Sequence, residues 1–171
     1  MLGEQILPMD AGMHNPDGSK TIVGFRSELD TAEEGESYTL ACDATLLANA
    51  RSAADRLSVA GALPLWPGRD GPPVVHGGVI GSSDTWTQHR PSIEQLHREH
   101  HTLCEEMESQ AIASVCRTFD VPFLAVKDIS NNELRDDTTD ALIKVVDELG
   151  RRASIVVEGV IQQLAAERPR L

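Results

Sequence analysis

Residues 104–133 read CEEMESQAIASVCRTFDVPFLAVKDISNNE, and the order of their polar and apolar blocks decides the fold class. Three carboxylates, Glu105, Glu106 and Glu108, surround Met107. From Glu108 to Phe119 the residues Ala111, Ile112, Val115, Cys116 and Phe119 recur at i, i+1, i+4, i+5 and i+8, the stripe of an amphipathic helix. Val121–Val126 is a short apolar run that reads as a buried strand with Pro122 tolerated at its entry. The polar cluster Ser130-Asn131-Asn132-Glu133 follows. Two polar clusters thus bracket one helix and strand, the repeating unit of an α/β sheet.

The flanking sequence extends the same pattern. A helix is expected from about Thr138 to Ala166, with Leu142, Val145, Val146, Leu149, Ala153, Val156, Val157, Val160, Ile161 and Leu164 on one stripe. Upstream, Val74–Ile80 reads as a strand buried on both faces that delivers Gly81–Trp86 at its carboxyl end, where open α/β sheets bind ligands. Ser92–His101 reads as a helix with Ile93, Leu96 and Leu103 on one side. Pro64–Pro73 is a connection whose prolines forbid a helix. Asp43 caps a helix carrying Leu46, Leu47, Ala50, Ala53, Ala54 and Leu57, with Asn49, Arg51, Ser52 and Asp55 on its wet face and Gly61 just past its end. Gln5–Pro8 and Thr21–Phe25 read as short strands, with turn signals from His14 to Gly18 and a solvated loop at 31–36. Residues 1–171 are expected to form a single α/β domain, a mixed sheet flanked by helices.

Composition limits the partners. A net charge of −12 with 4% aromatic residues argues against nucleic acid and anionic membranes, and leaves a small neutral or cationic ligand. The three cysteines have no metal-type spacing, which suits a reducing cytoplasm without disulfides. No apolar run reaches the roughly 18 residues of a membrane span, and the first residues carry no export signal. A soluble cytoplasmic protein is expected.

His97, His100, His101 and Cys104 invite a zinc reading, but they stand among Arg98, Glu99 and Glu105 on what reads as an ordinary wet helix face. No metal and no cofactor is expected. Cys104 is a poor nucleophile beside glutamates that disfavour its thiolate. Gly77, Gly78 and Gly81 fit no phosphate-loop pattern and read as glycines for close strand packing. The carboxylates have two readings, a solvated face or a carboxylate that accepts two hydrogen bonds from the vicinal diol of a ribose. Trp86 offers a flat face to a base or else fills core. Asn131 offers a donor and an acceptor to one edge of a purine.

On these residues the chain resembles the nucleoside phosphorylase and nucleosidase family, in particular the 5′-methylthioadenosine/S-adenosylhomocysteine nucleosidases. The matching motifs are Ser82-Ser83-Asp84-Thr85-Trp86, Glu106-Met107-Glu108 with Ser109, Ala111 and Ala113, and Val121-Pro122-Phe123 followed by Lys127-Asp128-Ile129-Ser130-Asn131. The resemblance implies a nucleoside phosphorylase-like fold, N-terminally shortened, and assembly as a homo-oligomer. It implies that Trp86 stacks on the base, Met107 packs under the sugar with Glu106 beside it, and Glu108 binds the 2′ and 3′ hydroxyls. Ser130 and Asn131 would meet the base edge near N7, with Glu108 and Asn131 as the catalytic pair. The implied reaction is hydrolysis of the N-glycosidic bond of a purine nucleoside. Family members usually have Asp where this chain has Asn131, and an amide donates a hydrogen bond but not a proton. Phosphorolysis or hydrolysis of 6-oxopurine nucleosides, whose leaving group spreads charge onto O6, is the alternative. A non-catalytic nucleoside-binding or oligomer subunit is the competitor from another class. Strand alternation points Asp128 away from the site.

Overall fold

A computed structural model describes residues 1–10, 12–17, 19–22, 39–68, 70–135 and 146–167. The chain divides into two compact units, one of residues 1–3, 43–77 and 124–171, the other of residues 4–42 and 78–123.

A four-stranded sheet in the order β4-β1-β5-β6 is built from β1 (Leu2–Pro8), β4 (Leu40–Ala41), β5 (Gly77–Ser82) and β6 (Thr102–Glu106), and all of it but Leu2, Gly3 and Gly77 belongs to the second unit. β1 and β4 run antiparallel, with Gln5 opposite Ala41, whereas β5 and β6 run parallel, with Ser82 opposite Glu106. The sheet is therefore mixed, and the helices α2 (Arg90–His100) and α3 (Ser109–Thr118) contact β6 and β4 respectively. Ile6, Leu7, Met9, Ile80 and Ala113 are buried in this unit. A Cβ on Gly81 would lie 2.5 Å from Met9 Sδ, so the close-packing reading of that glycine holds. A separate hairpin joins β2 (Gly12–His14) to β3 (Lys20–Ile22). Its turn is tied by Ser19, whose amide and hydroxyl both donate to Asp17 and hold that exposed carboxyl below its ordinary pKa.

In the first unit α1 (Ala44–Val59) packs on α4 (Arg151–Glu167). Asp43 caps α1 by accepting from the Leu46 amide at 2.8 Å, as its position predicts. Ala50, Ala53 and Ala54 meet Val156 and Val160 in one core with Leu2 and Leu63. Small residues let the helices approach closely: a Cβ on Gly159 would stand 3.2 Å from that of Ala53. Asn49 is buried, although helical spacing put it on the wet face.

Four elements differ from the sequence expectation. β5 starts at Gly77 and runs through Ser82, three residues later than the apolar run suggests, because its paired register with β6 extends to Glu106. Residues 102–106 form a strand, unforeseen because glutamates are depleted in strands; Leu103 lies on it and not on the preceding helix. Val121–Val126 forms no strand beyond an isolated bridge from Val126 to Leu2. The long C-terminal helix begins only at Arg151, because Gly150 takes a left-handed φ of 76° after a 3-10 turn at Val146–Glu148. Val157 and Ile161 of its predicted stripe are exposed. The start of the predicted helix at Thr138, the loop at 31–36 and the end of the predicted strand at Phe25 lie outside the described residues.

Candidate active site

The carboxyl ends of the parallel neighbours β5 and β6 carry most of the predicted site residues. The Ser83 amide donates to the Glu106 carbonyl at 3.0 Å and locks the two ends together. Buried Ser82 accepts from the Gln110 amide at 3.0 Å, which fixes the first turn of α3 on the end of β5. From this frame hang two short segments, 83–89 with Trp86 and 107–108 with Met107 and Glu108.

Each glutamate of the cluster has a distinct setting. Glu105 accepts from the Thr87 amide at 2.9 Å and its hydroxyl at 3.0 Å, latching the segment that carries Trp86. Glu106, expected among the substrate-binding residues, has its carboxylate at the start of α3, accepting from the Glu108 amide at 3.2 Å, the Ser109 amide at 3.0 Å and the Ser109 hydroxyl at 2.8 Å. Glu108 occupies the N-cap position of α3 without capping it, and it is exposed. Trp86 is 51% and Met107 47% exposed, so neither fills core. These two strand-bound carboxylates are tolerated because Thr87, Ser109 and Glu108 supply their hydrogen bonds.

The other predicted residues belong to the first unit. Ser130 Oγ donates to Asn131 Oδ1, and Asn131 Nδ2 donates to Glu133 Oε1. Asp128 is committed elsewhere: Arg152 donates to it through Nε at 3.0 Å and through its backbone amide at 3.2 Å. Arg152 also donates to the carbonyls of Leu65 and Glu148, and its guanidinium lies 4.4 Å from the centroid of the Trp66 ring. Asp128 therefore serves this buried arginine and not a leaving group.

The histidine cluster does not form a face. α2 ends at His100, His101 is its left-handed cap, Cys104 lies in β6, and His97 Nδ1 pairs with the Thr102 carbonyl oxygen at 2.9 Å. Among the described residues no three metal-ligating side chains come together. Sequence reasoning missed Glu105 as the latch of the segment that carries Trp86 and Glu133 as the partner of Asn131, because each acts through a neighbour and carries no motif of its own.

The carboxyl ends of this parallel strand pair carry an exposed aromatic ring, a methionine and a carboxylate, at the position where open α/β sheets bind ligands. The chain belongs to the Phosphorylase superfamily, whose family profile matches residues 5–162. It is 42% identical over 55 residues to the 5′-methylthioadenosine/S-adenosylhomocysteine nucleosidase of Halalkalibacterium halodurans, covering 32% of this chain and 24% of that protein. It is 32% identical over 88 residues to the enzyme of the same name from Buchnera aphidicola, covering 49% and 38%. Among solved structures it matches a futalosine hydrolase mutant of Helicobacter pylori with a TM-score of 0.70 and 20% identity, over 95% of this chain and 60% of that one. It also matches the S-adenosylhomocysteine nucleosidase of Streptococcus pyogenes in complex with 5-methylthiotubericidin, with a TM-score of 0.65 and 17% identity, over 95% and 59%. The chain thus spans about three-fifths of the length of these solved relatives and has their nucleoside phosphorylase-like fold. Among the described residues no helix is long and apolar enough to cross a membrane.

Proposed function

We propose that the chain is a cytoplasmic purine nucleoside N-ribosyl hydrolase of the 5′-methylthioadenosine/S-adenosylhomocysteine nucleosidase type, with residues 1–171 acting as one domain. The single-domain reading draws on the family profile, which runs unbroken through the residues of both compact units. The observation that carries the activity is the division of labour among the glutamates. Glu106 is consumed in capping α3, while Glu108 stands exposed beside Met107 at the end of a parallel strand. Glu108 accepts the 2′ and 3′ hydroxyls, Met107 packs under the ribose, Trp86 stacks on the base, and Ser130 and Asn131 meet its edge. Glu106 acts by holding Glu108 in place.

In the reaction the C1′–N9 bond breaks and its electron pair leaves with the purine. Water adds to C1′, and the proton it loses ends on the released purine. Glu108 favours the positive charge that develops on the sugar, and Asn131 favours the negative charge on the leaving base. The amides of Ser109 and Gln110 at the start of α3 are engaged by Glu106 and Ser82, so this helix end offers phosphate little, which supports water as the acceptor. A second reading, 6-oxopurine nucleosides as substrates, is favoured by Asn131 itself, because an amide cannot pass a proton to the leaving base.

Incubating the purified chain with methylthioadenosine, S-adenosylhomocysteine, adenosine and inosine, with and without phosphate, tests these readings through release of free base. Release independent of phosphate is the expected result. Strict phosphate dependence assigns a phosphorylase, binding without release assigns a non-catalytic nucleoside-binding subunit, and absence of both removes the nucleoside reading.

A further inference from the structure

Next to Asn131 the first unit contains a hydrogen-bonded chain whose consequence reaches beyond the reaction just described. The Ser130 hydroxyl donates to Asn131 Oδ1 and Asn131 Nδ2 donates to the Glu133 carboxylate. A carboxylate only accepts hydrogen bonds, so the atom turned toward Glu133 must be the amide nitrogen. The amide is thereby held in one of its two flip states. Of its two N–H groups and two lone pairs, the chain uses one of each, which leaves one donor and one acceptor for a ligand.

That remainder reads the six-position of a purine. A 6-aminopurine presents a donor at N6 next to an acceptor at N7. A free 6-oxopurine presents an acceptor at O6 and, in its readily populated N7–H tautomer, a donor at N7. The two patterns are reversed along the same edge, so a rotatable amide serves both by flipping, whereas a locked amide serves one and leaves the other with opposed donors or acceptors. Opposed polar groups out of water cost far more than a missing apolar contact.

We propose that Glu133 is a positioning residue that locks the Asn131 amide and so sets the discrimination between 6-aminopurines and 6-oxopurines. This rests on the reading of Asn131 as the base-edge contact. Glu133→Gln is the informative variant: a glutamine amide accepts from Nδ2 or donates to Oδ1, so it keeps a partner for Asn131 in either flip state and releases the lock.

The test is calorimetric titration of the full chain with adenine and with hypoxanthine, for wild type, Glu133→Gln and Glu133→Ala, with a melting curve of each. Wild type is expected to prefer one base by at least about tenfold, a gap of about 1.4 kcal/mol. Both variants are expected to bring the ratio within about threefold by gaining affinity for the disfavoured base, which a loss of packing could not produce. A variant that weakens both bases in proportion, or keeps the wild-type ratio, overturns the lock and leaves the function standing. Wild type that binds both bases equally also overturns it alone. Wild type that binds neither base overturns the lock together with the base-edge role of Asn131.

Discussion

Glu106 and Glu108 are two residues apart in sequence and carry the same charge, but they answer to different partners. Removing the capping carboxylate leaves the first amides of α3 without it, so Glu106→Ala should lower stability by about 1 kcal/mol in a denaturant titration. Glu108→Ala should leave stability within about 0.5 kcal/mol, as exposed substitutions do, yet weaken ribonucleoside binding about tenfold or more, the loss of hydrogen bonds to a charged group. Unchanged binding in Glu108→Ala would refute the diol contact. Arg152 poses the opposite situation. It is buried against Asp128, so Asp128→Ala strands an arginine inside the first unit and should cost about 3–5 kcal/mol. The double variant Asp128→Ala with Arg152→Met should recover a large part of that loss in the same titration. An additive double variant would show that the pair is not coupled.

At the scale of elements, Gly150 is the position where periodicity misleads. Apolar spacing continues straight through it, but its backbone is left-handed with open space around the missing side chain. Gly150→Ala should therefore meet no clash and still destabilise the fold by about 1 kcal/mol through backbone strain alone. A stabilised variant would mean that the helix prefers to run through. Elsewhere the elements with local punctuation were readable: Asp43 announced α1, and the apolar run Gln5–Pro8 announced β1. β6 was hidden because the reasons its glutamates tolerate a strand, Thr87 and Ser109, are tertiary contacts. The run Val121–Val126 looked like a strand because a short apolar segment does not state what it pairs with. The stripe of α3 was legible from its spacing, but spacing does not say what covers it, and Ile112, Val115 and Phe119 are exposed. For the candidate site, Trp86, Met107 and Glu108 were legible from short motifs. The support of the Trp86 segment was not, because Glu105 reaches across 18 residues to Thr87.

For the molecule as a whole, the exposed row Ile112, Val115 and Phe119 on α3 bears on assembly. Contiguous apolar surface of this kind marks association sites, and it supports the homo-oligomer that the resemblance implies. Light scattering should find the purified chain as a dimer or larger, and Val115→Asp with Phe119→Asp should yield monomers. A monomeric wild type would refute the homo-oligomer. The locked ends of β5 and β6 have a further consequence, for protein engineering. The Ser83 amide, the Glu106 carbonyl and the Ser82 hydroxyl secure the strand ends and α3 on their own, while Glu105 fastens the segment from Trp86 to His89 through Thr87 and Ser92 pairs with His89 at its far end. A replacement segment that retains a threonine at position 87 inherits the Glu105 anchorage, which makes 86–89 the natural graft site for redesigning the ligand while leaving the sheet untouched.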